Sequence, residues 1–219
     1  MKKVLSLVIA LGALACTASA APYYTATPTP GALTPYDWQP VYSIEGAYNF
    51  VNQSELPNTY GLRANFSLYN SGENSVRHQF GITLGYEQGA HSTDYLFPYL
   101  NDVKLKTRRE LYRIPLTLGY DINLGITDNV FIDLGAKGGY AWGSLEDSIK
   151  TTGSLYGASY KADLSGFTYG LGVGVKVQFS ESIYTKIGYE FSRTFFDASG
   201  SSNVNYGQHS IILSAGCQF

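Results

Sequence analysis

The strongest constraint in the sequence lies between Phe167 and Phe179. Every second residue there is apolar: Phe167, Tyr169, Leu171, Val173, Val175, Val177 and Phe179. The residues between them are Thr168, Gly170, Gly172, Gly174, Lys176 and Gln178. Strict period-2 alternation over such a length defines a β-strand with one greasy and one polar face. The segment is long for a strand in a soluble protein and suits a tilted strand that crosses a bilayer.

The same pattern recurs seven more times, in Tyr42–Phe50, Tyr60–Leu68, Gln79–Glu87, Tyr112–Tyr120, Val130–Trp142, Thr185–Ser192 and Ser210–Phe219. The connections alternate in length. Asn70–Ser75, Asp121–Asn129 and Ser180–Ser182 read as short turns. Gln88–Thr107, Gly143–Leu164 and Thr194–Gly207 read as long loops, and Val51–Thr59 as intermediate. Short turns at one end and long loops at the other predict an all-β fold, an antiparallel up-and-down eight-stranded transmembrane β-barrel.

Alternation does not say which face looks outward, because a soluble barrel turns its apolar face inward. The polar face decides the matter. It is built from small residues, among them Gly81, Gly119, Gly135, Gly170, Gly172 and Gly188, which suit a narrow lumen better than a surface in water. The aromatic residues segregate as well. With odd-numbered strands running outward, Tyr48, Tyr86, Tyr112, Trp142, Phe167 and Tyr189 gather at the long-loop end. Tyr42, Phe80, Tyr120, Phe179 and Phe219 gather at the short-turn end, with aliphatic residues between. Two aromatic belts around an aliphatic band are what the two interfaces of a bilayer select.

The N-terminus agrees with export. Lys2 and Lys3 precede an apolar run, Val4–Leu14, and Ala18-Ser19-Ala20 supplies small residues for cleavage, so residues 1–20 read as a signal peptide. Residues 21–40 form a Pro- and Thr-rich arm, and residues 41–219 the barrel. Without Lys2 and Lys3 the 15 Lys and Arg fall to 13, against 17 Asp and Glu. An acidic chain with no basic run argues against nucleic acid as a partner. Loss of Cys16 with the signal leaves Cys217 without an internal partner.

The chain resembles the small eight-stranded outer-membrane barrels of the OmpA/OmpX type over roughly residues 41–219. The last segment, Ile211 to Phe219, carries the most specific likeness, since Leu213, Gly216 and Phe219 match the C-terminal signal read by the barrel-assembly machinery. Leu111–Tyr120 also looks like a strand common in that family. The resemblance implies a bacterial outer-membrane location, a monomer surrounded by lipid and lipopolysaccharide, and a filled lumen. Pro115 removes a ladder hydrogen bond, which predicts a local bulge.

Several side-chain sets carry functional expectations. On the inward face Glu45, Glu87, Asp133 and Glu190 accompany Arg63, Arg77, Arg113, Lys137, Lys176 and Lys186. Charges confined to a narrow lumen must pair, so these are expected to form a plugging network, with Arg113 and Glu45 as gate members should it open. Lys104, Lys106, Arg108 and Arg193 lie above the aromatic belt, where they could meet lipopolysaccharide phosphates. Leu96–Leu100 and Phe195-Phe196 are apolar spots in the expected loops, open to an extracellular protein or surface ligand. No metal cluster, phosphate loop, paired thiol or cofactor motif appears, and adjacent His209 and Ser210 point to opposite faces of a strand. The expected role is structural or adhesin-like, not enzymatic, with a small-solute or ion porin as the alternative.

Overall fold

The structure, a computed structural model, describes residues 38–52, 56–70, 76–97, 103–151, 157–180, 182–198 and 204–218. The expected signal peptide, most of the arm, and Phe219 lie outside the described residues. Eight strands follow in order: β1 (Trp38–Val51), β2 (Thr59–Asn70), β3 (Val76–Phe97), β4 (Val103–Gly125), β5 (Val130–Thr151), β6 (Gly157–Gln178), β7 (Ile183–Ala198) and β8 (Val204–Gln218). Each pairs antiparallel with its neighbours, and β8 closes on β1.

The register fixes the shape. Stepping between directly opposed residues from Val41 leads through Ser67, Gly81, Gly119, Lys137, Gly170, Ser192 and Gln208 to Val51. One circuit therefore climbs from Val41 to Val51 along β1. Ten residues at about 3.3 Å, set against eight strand spacings of about 4.8 Å, tilt the strands by roughly 40°. The short turns are tied locally: the Ile126 amide donates to the Val130 carbonyl (2.9 Å), and the Ser180 hydroxyl accepts from the Ile183 amide (3.1 Å).

Sidedness follows the alternation. Leu118 is 66% exposed, Leu171 60% and Ile187 58%, with Leu134 and Val173 also on the outer surface. Lys176, at 2%, and Glu190, at 7%, are buried in the lumen. The outer aromatic residues touch one another in belts. Phe80 packs on Tyr120 (centroids 4.5 Å) and near Trp38 (5.9 Å) at the short-turn end. Tyr48 meets Phe50 (4.8 Å), and Tyr140 meets Trp142 (5.1 Å), at the other.

Three expectations need correction. The long connections are mostly strand: β3 and β4 stay paired up to Phe97 and Val103, and β5 and β6 up to Lys150 and Gly157. Above the bilayer neither face needs to be apolar, so the alternation that marks a strand fades while the pairing continues. β1 begins at Trp38, inside the expected arm, and Pro40 pairs with Leu68. Pro115 makes no bulge. The register between β3 and β4 is the same on both sides of it, with the ladder interrupted only opposite Ile114 and Pro115. The proline ring fills the space that Gly85 leaves, where an added Cβ would lie 2.9 Å from its Cγ.

Candidate functional site: a charged lumen beneath a raised sheet

The lumen is organised around Glu87, whose side chain is 1% exposed. Its Oε1 accepts from Arg63 Nη2 (2.9 Å) and Nε (3.2 Å). Its Oε2 accepts from Arg113 Nη2 (2.6 Å) and Nε (3.1 Å). Arg63 Nη1 reaches both carboxylate oxygens of Glu190 (3.2 Å), and Glu190 Oε2 also takes Lys137 Nζ (2.6 Å). Arg113 Nη1 donates to the Thr194 hydroxyl (2.8 Å), which donates on to Thr168 (2.9 Å). One carboxylate thus holds two guanidiniums and a second holds a guanidinium and an ammonium. Such charge-assisted pairs survive burial only because nearly every polar atom has a partner.

The other charges predicted for the lumen sit lower. Lys186 Nζ is 2.5 Å from Asp133 Oδ1. Glu45 lines a cavity of about 90 Å³ together with Asp121, Asp133, Lys137, Lys176 and Lys186. Lys176 Nζ stands over the rings of Tyr184 (4.2 Å) and Tyr69 (4.6 Å). Arg77 donates to the Tyr69 hydroxyl (2.6 Å) and stacks over Phe131 (4.4 Å). Asp121 belongs to this set although the sequence places it where a turn begins. β4 runs on to Gly125 and carries Asp121 inward.

The sequence reading also missed the apolar ends of the lumen. Val41, Tyr69 and Tyr184 form a buried cluster at the short-turn end. Leu111, Ala141, Leu164, Phe196 and Tyr206 form another at the opposite mouth, with Val51, Leu56 and Leu145 against it. Phe195 and Phe196, expected as a loop spot, lie on β7 with Phe195 outside (44% exposed) and Phe196 inside (1%). Gly216, expected in the assembly signal, leaves room for the Tyr184 ring, which a Cβ there would strike. A Gly three residues before the last residue and a Tyr at the second position of a strand are the sequence signals for that contact.

Outside, β3 to β6 rise well beyond the upper belt. From Tyr112 to Val103, β4 adds nine residues, about 30 Å of strand. Among the described residues β2 pairs with β3 only as far as Gln88, and β7 with β6 only as far as Leu164. Four strands therefore stand as an open sheet over the closed barrel. On the flank of this sheet Lys106 is exposed, and Arg108 pairs with Glu110 (2.5 Å). Lys104 opposes Leu96, and Lys106 lies between Asp94 and Lys150. Arg193 donates to Asn205 (2.6 Å) and lies over Phe195 (5.7 Å). On the inner side Arg109 grips Asp147 through two contacts (2.6 and 2.8 Å). His209 contacts the outer rings of Tyr189 and Phe191, whereas Ser210 is buried inside, so the two do not converge.

A closed sheet with an apolar exterior, two aromatic belts and ion pairs within is a transmembrane β-barrel. The chain belongs to the family described as outer membrane protein beta-barrel domain, whose pattern it matches over residues 6–219. The family sets its place in the bacterial outer membrane. Solved structures similar to it include Ail, the attachment invasion locus protein of Yersinia pestis, at 14% identity and a TM-score of 0.44, covering 83% of this chain and 99% of that one. Neisserial surface protein A is similar at 14% identity and a TM-score of 0.47, over 83% and 97% of the two chains. The outer membrane protein AlkL in lipid bilayers shares 14% identity at a TM-score of 0.39, over 91% and 96%. No curated protein sequence matches the chain.

Proposed function

We propose that this protein is a monomeric, non-enzymatic surface protein: the barrel is an anchor with a plugged lumen, and the sheet raised on β3–β6 contacts macromolecules outside the cell. The observation that carries the reading is the contrast between the two ends of the same strands. Within the membrane β3–β6 help to enclose charges that pair with one another, and beyond it they continue as a paired sheet with open edges. Rigid elements hold a contact surface more precisely than loops, and ordering them costs little on binding. Lys104, Lys106, Arg108 and Arg193 serve as a basic flank toward lipopolysaccharide phosphates, and Leu213, Gly216 and Phe219 as the segment read by the assembly machinery.

The test excises residues 91–109 and 147–160, joining Ala90 to Glu110 and Glu146 to Lys161 through two-residue turns. These residues are already directly opposed. The shortened barrel is expected to fold, shown by heat-modifiable gel mobility. Bacteria displaying it should lose the adherence to cultured animal cells or to one another that the full chain confers. Equal adherence of both would refute the surface role. Steady conductance steps from the wild-type protein in planar bilayers would favour the porin reading instead.

A further inference from the structure

The interior is closed at more than one level. Taking each strand from the short-turn end upward, Val41, Tyr69, Arg77, Phe131 and Tyr184 come first. Next come the residues lining the 90 Å³ cavity, among them Glu45, Asn65, Thr83, Asp121, Asp133 and Lys186. Above these on their own strands lie Arg63, Glu87, Arg113, Thr168 and Thr194, joined as described. Highest are Leu111, Leu164, Phe196 and Tyr206. The Arg113 guanidinium lies over the Tyr206 ring (5.3 Å), so the two upper layers are in contact.

Lys176 says what fills the space between. It lines the cavity, is 2% exposed, and its ammonium has no hydrogen-bond partner among the described residues. Ring faces at 4.2 and 4.6 Å offset part of its desolvation, but an ammonium has three protons to place. A polar cavity of this size has room for several waters, and water is the ligand that such a group and the neighbouring carboxylates require.

We infer that the lumen holds a hydrated chamber whose closure by the described residues is asymmetric: one thin seal, Val41 with the Tyr69 and Tyr184 rings under Lys176, faces the short-turn side, and two stacked seals, the Glu87 ion network and the Phe196–Tyr206 cluster, face the long-hairpin side. Opening the thin seal makes the chamber a dead-end vestibule on the short-turn side without making a pore. Opening the Phe196–Tyr206 layer alone exposes nothing, because the ion network beneath it remains.

The inference rests on the closed-lumen reading above but fails separately from it. A reporter thiol is placed in the chamber by Asn65→Cys in a chain carrying Cys217→Ser, and its modification by a small cationic methanethiosulfonate is timed in detergent micelles. Tyr69→Ala with Tyr184→Ala is expected to speed labelling by about tenfold or more, the scale of a lost local closure, and to leave planar bilayers silent. Phe196→Ala with Tyr206→Ala is expected to leave labelling within about twofold. Unchanged labelling in the tyrosine variant overturns the inference, as does a larger gain in the Phe196–Tyr206 variant or steady conductance in the tyrosine variant. Should the double tyrosine variant not fold, Tyr69→Ala alone is to raise labelling several-fold, and an unchanged rate there refutes the chamber equally. Conductance of the wild-type protein would instead refute the closed lumen itself.

Discussion

Replacing Glu87 by Gln isolates the ion network with little change of shape. Glu87 accepts four N–H contacts from Arg63 and Arg113, at 2.6 to 3.2 Å. An amide of the same size keeps one acceptor oxygen, loses the charge, and presents an NH2 group to a guanidinium. Arg63 retains Glu190, but Arg113 keeps only the Thr194 hydroxyl among its described polar contacts. Its side chain is 3% exposed, so water cannot take over. Removing one partner of such a buried pair costs about 3–5 kcal/mol. With a guanidinium slope of roughly 4 kcal/mol per M, a loss near 4 kcal/mol lowers the unfolding midpoint by about 1 M. The folded fraction in detergent is read from the mobility of unheated samples on gels. Glu190→Gln is expected to cost less, because its partner Lys137 is 19% exposed and borders the 90 Å³ cavity. A midpoint shift below about 0.2 M for Glu87→Gln would show that the network is not what braces the lumen.

Three further outcomes follow from the same structure. Gly216→Ala drives a methyl into the Tyr184 ring and is expected to destabilise by about 1–3 kcal/mol; Gly207→Ala, with nothing within 4 Å, serves as its control in the same unfolding assay. Leu118→Arg puts a charge on the outer surface at the most exposed aliphatic site of β4 and should cost about 2–4 kcal/mol in lipid vesicles, against a negligible cost for Leu118→Ile. Joint neutralisation of Lys104, Lys106 and Arg108 by Gln is expected to lower the lipopolysaccharide retained through purification; unchanged retention removes those residues from any lipid contact.

The strands that cross the membrane were legible because lipid outside and a crowded lumen inside force opposite chemistry on alternate residues, as at Phe167–Phe179. Where that pressure ends, so does the signal. Ser92, Asp94, Lys106 and Arg108 belong to strands as regular as any in the barrel, yet they read as loop because water is on both sides. The buried aromatic clusters at the two ends of the lumen were hidden for a related reason. Tyr69, Tyr184 and Tyr206 stand at strand ends, where an aromatic residue reads as belt or turn, and only the register turns them inward. The charged residues were visible from parity alone, but their partners were not. Arg63 sits directly opposite Gly85, and its pairing with Glu87 is a diagonal one that needs the stagger of the strands.

Which surface meets the acyl chains can be measured directly, by cross-relaxation between lipid chain protons and assigned side-chain methyls of the protein in nanodiscs. Leu134, Val173 and Ile187 are expected to show strong contacts to the lipid chains, and the Thr83 and Thr117 methyls none. Lipid contacts at the threonines, with Leu134, Val173 and Ile187 silent, would turn the barrel inside out and remove the basis of every role proposed for it.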